Sequence, residues 1–415
     1  MNSYFVTSND IKNGPSSNLN ITHADGDYLY TPSKKYLDLR SGLWNVSLGY
    51  NKELTNRMKA RFDNILDNQI PYIDINSYDT PDYNLYASSL LSFMNDGVER
   101  SDFKSVTFTN SGSEGVEIGV KISQDFAKHV KKEGNKIIVF KNSYHGTFFG
   151  SMSVSHKFFG LEHAYETANN VIIVDPPINE QGLNNILNTI ETNHLNISSF
   201  IIEPILGSGG SISIASEYLE EIVSFCKKYE VLTIFDEVST GFYRTGNRFA
   251  HTSLKNKPNV VILSKSINNG ALPFGAVIID DYTYRCLEKQ NINHFSTQSG
   301  NVLGISSAIT TLEYYIENEQ QIKHNVQEIE KLVYLYSSKY SVEITGKGAM
   351  FSIPINDLDK VIRIRETLKN MGILVYIYEN IDNTSGITIH PNLLISQKKL
   401  EMALNILFRK VAESL

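Results

Sequence analysis

Cysteine, tryptophan and basic charge are all scarce in this 415-residue chain, and each shortage excludes a class of protein. The two cysteines, Cys226 and Cys286, fit neither a disulfide framework nor a metal site, and as free thiols they suit a reducing compartment. The net charge is −7, and the 38 basic residues are scattered, so no basic face indicates nucleic-acid binding.

Long apolar runs are also missing. No stretch approaches the roughly 20 residues that a membrane-spanning helix needs, and residues 1–14 lack the apolar core of a signal peptide. We therefore expect a cytoplasmic protein that binds no membrane. The composition, 41% apolar and 20% charged, is ordinary for a globular protein, and the length predicts at least two lobes.

Short apolar runs alternate with helical patterns through the middle of the chain. The predicted strands are 105–108, 137–140, 171–174, 200–202, 231–235, 260–263 and 276–279. Helical patterns such as 114–129 and 216–229 lie between most of them. This alternation predicts an α/β fold with a mostly parallel seven-stranded sheet, and the carboxyl ends of its parallel strands should meet at one edge.

Other elements flank this region. Upstream we predict strands 28–30 and 36–39 and helices 54–66 and 85–94, and downstream a helix over 306–337, strands 342–344, 350–353, 373–377 and 387–389, and helices 359–371 and 396–412. We expect an N-terminal segment (1–55) packed with a small α+β domain (306–415), and a large domain (56–305).

Lys265 follows the apolar run 260–263, at the strand end where ligands bind in open α/β sheets. A lysine there is either an ordinary surface charge or, when partly desolvated, an amine that forms a Schiff base with a carbonyl. The residues at the other strand ends have to decide between these interpretations.

Ser111-Gly112-Ser113-Glu114 follows one strand and opens a helix. The free N–H groups and the helix dipole at such a position favour an anion, and glycine allows a phosphate to approach closely. The same residues also fit a plain capping box of Ser111 with Glu114. Both interpretations are compatible, because the cap shapes the same anion site.

Asp236 and Tyr144 also follow strands. Asp236 is either a solvated turn residue or the partner of a protonated ring nitrogen, while Tyr144 offers a flat face for stacking on a ring. His145 fits a structural hydrogen bond better than a metal site, because no second ligand has suitable spacing. Together with Lys265 and the anion site, these residues predict a pyridoxal phosphate site and no metal.

The chain resembles the class III, or omega-type, aminotransferases, which have the fold type I architecture of pyridoxal-phosphate enzymes. The resemblance covers nearly the whole length. Its motifs are Asn110 to Glu114, Tyr144-His145-Gly146, Glu203-Pro204, Asp236 to Gly246, Ser264-Lys265, Pro273-x-Gly275-Ala276 and Ser296 to Asn301.

The resemblance implies a role for each matching residue. Lys265 would bond to pyridoxal 5′-phosphate and carry protons, Asp236 would bind the ring nitrogen, and Tyr144 and Val238 would enclose the ring. Ser111, Gly112 and Ser113 would surround the phosphate, with His145, Glu203 and Ser239 nearby. Thr297 would reach the phosphate of the partner subunit, which implies a homodimer with active sites at its interface.

Trp44 lies in the segment Ser41-Gly42-Leu43-Trp44, and by itself a single tryptophan is most simply a core anchor. The segment resembles the family motif whose aromatic side chain lines the substrate pocket. The resemblance therefore places Trp44 in that pocket.

The sequence departs from the family pattern at three positions. Ser239 replaces a common glutamine, and Ser208 replaces the glutamate of the Glu-Pro-x-x-Gly-Glu motif. Thr388 takes the place of the arginine that usually grips a substrate α-carboxylate, and no arginine occurs from Glu366 to Phe408. Since an orphaned buried charge is costly, losing both members of the glutamate–arginine pair is coherent.

These departures lead to a hypothesis about the substrates. An amine or amino acid would donate its amino group by a ping-pong mechanism to a ketone or aldehyde without a conventionally held α-carboxylate. The hypothesis includes an acceptor group at the end of a larger molecule. Arg40 and Arg285 are alternative carboxylate binders, and Tyr376 and Tyr378 either line the pocket or pack in the core. The rival functions are an aminomutase, a racemase or a non-catalytic binding protein on the same scaffold.

Overall fold

The computed structural model describes residues 19–95, 102–156 and 170–415. Residues 1–18 lie outside the described residues. They include residues 1–14, where no signal peptide is expected, and the first part of the predicted N-terminal segment. The first described elements are β1 His23–Asp25, β2 Tyr28–Tyr30, β3 Lys35–Asp38, the one-turn segment α1 Ser41–Trp44, α2 Lys52–Asp67 and α3 Pro81–Met94.

The central part of the chain contains the large sheet and the helices that cover it. Its elements are β4 Phe103–Thr109, α4 Gly112–His129, β5 Lys136–Phe140, α5 Phe149–Ser153, β6 Val171–Val174, α6 Glu180–Asn193, β7 Ile197–Ile202, β8 Ile205–Leu206, β9 Ile212–Ser213, α7 Ser216–Lys228, β10 Leu232–Asp236, β11 Val260–Leu263, β12 Gly275–Asp280 and α8 Asp281–Leu287.

The seven strands are ordered β4-β12-β11-β10-β7-β5-β6. β12 runs antiparallel to both of its neighbours, and the pairings from β11 to β6 are parallel. Every residue of β7, β10 and β11 is buried, as expected for parallel strands with helices on both faces. The predicted mostly parallel seven-stranded sheet is thus confirmed.

The carboxyl-terminal part contains two long helices, several short strands and a final helix. Its elements are α9 Val302–Glu317, α10 Glu319–Tyr340, β13 Thr345–Lys347, β14 Met350–Pro354, α11 Leu358–Asn370, β15 Ile373–Leu374, β16 Tyr376–Glu379, β17 Ser385–Ile389 and α12 Gln397–Ala412. β13, β14, β17 and β16 form an antiparallel sheet in that order.

Three predicted elements differ in this part of the chain. The predicted helix 306–337 is two helices that meet at Asn318, where φ of −110° and ψ of 16° depart from helical values. The strand predicted at 342–344 lies three residues later, in β13. The strand predicted at 373–377 is divided between two sheets, since β15 pairs with β3 and β16 pairs with β17.

The β3–β15 pairing joins residues from opposite ends of the chain. Leu37 and Asp38 lie beside Ile373 and Leu374 in parallel register. The strand that leads into Trp44 is thereby attached to the carboxyl-terminal part of the molecule. None of the helices in the described ranges is long and apolar enough to cross a membrane.

Candidate active site

Loops at the carboxyl ends of the parallel strands line a cavity of about 260 Å³. Nine predicted site residues line it: Ser111, Gly112, Ser113, Tyr144, His145, Asp236, Val238, Ser239 and Lys265. Asn45 and Asn268 line it as well, and sequence patterns gave no signal for either. The other predicted site residues, Trp44, Glu203, Thr297 and Thr388, do not line it.

Lys265 begins a short 3₁₀ turn directly after β11, and its φ is +47°. Such left-handed backbone in a non-glycine residue stores strain and is found preferentially at functional sites. Lys265 Nζ donates to Ser239 Oγ at 2.6 Å and lies 4.3 Å from the centroid of the Trp44 ring. Burial lowers the pKa of Lys265 to about 8, which leaves an appreciable neutral fraction at neutral pH.

Asp236 ends β10 and is almost fully buried. One carboxylate oxygen accepts from His145 Nδ1 at 2.8 Å, and the other accepts from the backbone N–H of Val238 at 3.1 Å. Nδ1 is the donor because an ionised carboxylate can only accept. His145 therefore makes the structural hydrogen bond that was predicted, and it orients Asp236 at the cavity.

Glu203 follows β7 and organises the loops behind the cavity. Its carboxylate accepts from the backbone N–H groups of Tyr144 at 2.8 Å and Gly207 at 3.2 Å. Burial raises the pKa of Glu203 to about 7, although the His145 ring and both hydrogen bonds oppose that rise. The carboxyl group thus fixes the backbone of Tyr144 rather than facing the cavity.

The start of α4 forms another wall. Ser111 Oγ accepts from the N–H of Glu114, as predicted, but the Glu114 carboxylate accepts from the N–H of Asn110 instead of closing the box on Ser111. A Cβ at Gly112 would lie 2.8 Å from Val238 Cγ2. The N–H groups of the first helical turn have no intrahelical acceptor, so this glycine-containing end fits an anion.

Trp44 is held by an unusual backbone turn. Ser41, Gly42, Leu43 and Trp44 have φ values of +47°, +54°, +60° and +68°, and the Trp44 N–H donates to Arg40 O at 2.8 Å. This is one turn of left-handed helix, a conformation that is unfavourable for L-residues. It places the indole, which is 5% exposed, beside Lys265.

The buried Asp38 carboxylate supports this left-handed turn. It accepts from the backbone N–H groups of Arg40 and Gly42 at 3.0 and 2.8 Å and from the Tyr50 hydroxyl at 2.8 Å. Asp38 was not among the predicted site residues, because an aspartate at the end of a short strand carries no distinctive pattern.

Thr388 lies in β17, opposite Ser352 of β14 and Tyr376 of β16. It was expected in the substrate pocket, but it is fully buried in a central strand and does not line the cavity. Its Oγ1 has no hydrogen-bond partner in the described part of the chain. Burial holds the pKa of the adjacent His390 well below its ordinary value, so this residue adds no positive charge.

Neither alternative arginine lines the cavity. Arg40 contacts the Asp38 carboxylate, with Nε 3.4 Å from Oδ1. Arg285 contacts Asp281 at 2.8 Å on α8, which follows the antiparallel strand β12 and therefore starts at the opposite edge of the sheet. The charge of Arg40 nevertheless acts on Tyr376, the strand neighbour of Thr388, and opposes the rise of its pKa on burial.

Thr297 lies on an exposed loop and does not line the cavity of its own chain. Its carbonyl oxygen accepts from the Tyr72 hydroxyl at 2.7 Å. The neighbouring Ser296 and Ser299 are tied to the start of α4, because Asn110 Nδ2 donates to Ser296 Oγ and Ser299 Oγ donates to Glu114.

Known proteins resemble this chain over most of its length. The family model described as Aminotransferase class-III matches residues 11–411. The adenosylmethionine-8-amino-7-oxononanoate aminotransferase of Staphylococcus aureus is 28% identical over 95% of this chain and 92% of that protein. An omega-aminotransferase of Caulobacter vibrioides is 30% identical over 72% of this chain and 71% of its own.

A solved structure agrees with these matches. The adenosylmethionine-8-amino-7-oxononanoate aminotransferase of Methanocaldococcus jannaschii has a TM-score of 0.87 at 26% identity, with 99% of this chain and 97% of that chain covered. The large sheet is therefore that of the fold type I enzymes. The chain belongs to the class III aminotransferase family, enzymes that use pyridoxal 5′-phosphate to pass an amino group from an amine donor to a carbonyl acceptor.

Proposed function

We propose that this chain is a ping-pong aminotransferase in which Lys265 binds the cofactor and carries protons. The observation that carries the proposal is the buried Lys265 amine, with its pKa lowered to about 8, on a cavity that also contains Asp236 and the start of α4. A group with a pKa near the working pH can both accept and donate a proton.

The residues present fit pyridoxal 5′-phosphate. Gly112 leaves the start of α4 open for the phosphate, because a side chain there would meet Val238. The Asp236 carboxylate, held by His145, suits a protonated ring nitrogen, and Tyr144 provides an aromatic wall. When bound, the cofactor supplies an electron-accepting ring that stabilises negative charge at the substrate carbon.

Within this arrangement Lys265 Nζ removes a proton from the substrate carbon and later returns one. Ser239 Oγ, 2.6 Å from Nζ, orients the amine between these steps. The Trp44 ring covers the amine and limits its contact with water. The hydrogen bond from His145 holds the Asp236 carboxylate in place during these steps.

The size of the cavity supports a ping-pong order. Pockets that hold drug-sized ligands usually have volumes of about 300–1,000 Å³, whereas this one is about 260 Å³. It has little room for two substrates beside a cofactor. We infer that the donor leaves as a carbonyl product before the acceptor enters the same space.

The acceptor is proposed to be a ketone or aldehyde without a conventionally bound α-carboxylate. Support comes from the strand neighbours of Thr388, Ser352 and Tyr376, which carry no positive charge, and from His390, which burial keeps neutral. Two of the similar proteins are named for 8-amino-7-oxononanoate, a ketone with its oxo group remote from the carboxylate. Others are named for acetylornithine and gamma-aminobutyrate, so the names alone do not select a substrate.

We also propose that the active enzyme is a homodimer. Thr297 is exposed and does not line the cavity of its own chain, as suits a residue that completes the partner's phosphate site. The surface around it includes exposed Phe295, Tyr72 and Ile70, which would be covered in a dimer.

The half-reaction tests the proposed function. Candidate amines are added to the holoenzyme without an acceptor, and the loss of the cofactor's visible absorption band is followed. We expect bleaching by at least one amine and none in Lys265→Ala. A wild-type band that no amine bleaches would favour the non-catalytic alternative.

An acceptor screen then tests the substrate class. The amino-loaded enzyme is mixed with α-ketoglutarate, with 8-amino-7-oxononanoate or with a simple aldehyde, and mass spectrometry identifies the aminated product. We expect the acceptors without an α-carboxylate to react faster. A strong preference for α-ketoglutarate rejects this part of the proposal. A donor that is isomerised or racemised while no acceptor gains an amino group indicates an aminomutase or racemase.

A further inference from the structure

Arg244 is a buried cation that the steps above leave without a role. It is 1% exposed, and its guanidinium donates to Pro391 O at 2.5 Å, Ala349 O at 3.2 Å and Ser47 Oγ at 2.9 Å. Within the described ranges no carboxylate contacts it. Burial lowers the pKa of Arg244 to about 10, so it still carries its charge at neutral pH. A buried charge without a counterion is costly and needs a reason.

The hydrogen bonds of Arg244 lead to the side chain of Ser266, the residue after Lys265. Ser47 Oγ lies 2.5 Å from Ser266 Oγ, and Ser266 Oγ donates to Trp44 O at 3.4 Å. The hydroxyl proton of Ser266 is donated to Trp44 O, so Ser266 Oγ can only accept from Ser47. Ser47 Oγ therefore accepts from Arg244 and donates its own proton to Ser266 Oγ. One directed chain therefore runs from the guanidinium to the residue after Lys265 and to the turn that holds Trp44.

Arg244 also connects separate parts of the molecule at this point. Ser47 belongs to the N-terminal segment, whereas Pro391 and Ala349 belong to the carboxyl-terminal part. The guanidinium can satisfy all three acceptors because its donors are arranged as a fixed planar fork. A lysine at this position would keep the charge but lose part of the connection.

The charges around Lys265 oppose one another. Asp236 and Glu203 favour the ammonium form of Lys265, whereas Arg244 disfavours it and adds to the larger effect of burial. His390, the remaining titratable side chain that interacts with Lys265, is held neutral by burial. Arg244 is therefore a fixed cation that works against the two carboxylates, although its influence is smaller than theirs.

We propose that Arg244 is a positioning residue for Lys265, which holds the backbone behind the lysine through Ser47 and Ser266 and disfavours a second positive charge on its amine. The inference rests on the proposed function, since it matters only if Lys265 must be neutral to bond to the cofactor. It assigns Arg244 no contact with substrate.

The test is the rate at which apoenzyme takes up pyridoxal phosphate, followed by stopped-flow absorbance from about pH 6 to about pH 10. Only the neutral amine attacks, so the rate should rise through the pKa of Lys265, near 8 in the wild type. In R244Q the inflection should move upward, with uptake at pH 7 slowed at least about threefold. R244K should keep the wild-type inflection but have a lower plateau rate.

Two further variants separate positioning from charge. S47A keeps the guanidinium but breaks the chain to Ser266, so it should lower the plateau without moving the inflection. R248M is the matched control, because Arg248 is paired with Glu319 at 2.8 Å and its charge is already balanced. It should leave both the inflection and the plateau unchanged.

A wild-type inflection in R244Q rejects the electrostatic part of the inference, and wild-type plateaus in S47A and R244K reject the positioning part. If R244Q does not fold, S47A and R244K still test the positioning part of the inference. An inflection in R244K at a higher pH than in the wild type then rejects the electrostatic part. Failure of the proposed function has a different result, since wild type and Lys265→Ala would then give the same absorption on cofactor addition.

Discussion

Ser239 Oγ, 2.6 Å from Lys265 Nζ, is a short side chain where the family resemblance predicts a glutamine. A glutamine would extend further toward the cofactor's ring, whereas the serine hydroxyl ends at the lysine amine. Because Trp44 lies on the amine as well, Lys265 is held by one hydroxyl and one aromatic ring. Serine in place of glutamine therefore keeps a polar side chain in the site, but its hydrogen bond is with the Lys265 amine instead of the cofactor.

Asp236→Asn removes the negative charge that is proposed to face the cofactor's ring nitrogen. We expect the half-reaction rate to fall at least about 100-fold, the usual scale for losing a preorganised electrostatic contact. The free energy of unfolding should fall by only about 1–3 kcal/mol, because one amide atom still accepts from His145 or Val238. Stopped-flow absorbance and urea denaturation measure the two quantities.

Asp382→Asn is the control for this substitution. Asp382 is also an aspartate with several hydrogen bonds, from Asn142 and Thr384, but it lies in the loop between β16 and β17. Its half-reaction rate should remain within about threefold of the wild type. Equal losses in both variants would show that the effect of Asp236→Asn is structural.

The residues at the cavity could be predicted because chemistry and topology agree there. Lys265, Asp236 and Tyr144 follow strands of one sheet, and parallel strands bring their ends together. Asp38 and Arg244 act through hydrogen bonds to segments distant in sequence, and no local pattern encodes such contacts. Thr388 was placed by alignment with a motif, which gives its position along β17 but not its burial.

At the scale of elements, the start of α4 combines helix geometry with a requirement for glycine. Gly112→Ala should stabilise an isolated helix, but its Cβ would lie 2.8 Å from Val238 Cγ2. We expect Val238 to move toward the cofactor's ring and cofactor affinity to fall about tenfold. Titration of apoenzyme with pyridoxal phosphate measures this affinity.

The double variant Gly112→Ala/Val238→Ala distinguishes crowding from a loss of backbone freedom. Removing the valine methyl groups clears the space, so the double variant should bind the cofactor more tightly than Gly112→Ala. Affinity that stays low in the double variant would mean that the glycine is needed for close approach of the phosphate itself.

The left-handed turn Ser41–Trp44 is unfavourable by itself and depends on its supports. In Asp38→Asn the side chain can no longer accept at both positions, so we expect the free energy of unfolding to fall by about 1–3 kcal/mol. Because Trp44 is the only tryptophan, its emission should shift to longer wavelength as the indole gains solvent contact. Asp63→Asn, on the exposed face of α2, should change neither quantity.

Elements with long, regular patterns were predicted well, whereas breaks within them were not. The continuous apolar pattern across 306–337 conceals the interruption at Asn318, where the backbone leaves helical geometry. Ile373 to Ile377 looks like one strand, but Val375 lies between β15 and β16, which have different partners. Strand partners are chosen by tertiary packing, which local periodicity does not contain.

At the scale of the whole molecule, the site is assembled from both ends of the chain. β3 pairs with β15, Arg244 binds Pro391, and Trp44 packs against His390 with ring centroids 4.9 Å apart. The amine of Lys265 is therefore surrounded by segments that meet only after the large sheet and the carboxyl-terminal part have docked. We therefore expect the chain to bind the cofactor only after both parts have folded and docked.

The proposed dimer would extend this assembly to a second chain, and mixed dimers test it. Thr297→Ala should weaken cofactor binding about tenfold or more through the loss of one hydroxyl contact to phosphate, and Lys265→Ala should be inactive. If Thr297 serves the partner's site, a dimer with one chain of each variant has one intact site, which combines Lys265 of one chain with Thr297 of the other. The second site of that dimer has both defects.

Equimolar unfolding and refolding of the two variants should produce mixed dimers as about half of the population. At a cofactor concentration that leaves Thr297→Ala sites mostly empty, the mixture should recover about a quarter of the wild-type rate per chain. If Thr297 acts within its own chain or not at the phosphate, each site of a mixed dimer retains one of the defects. The mixture would then show only the average of the two separate variants, a result that contradicts the shared site.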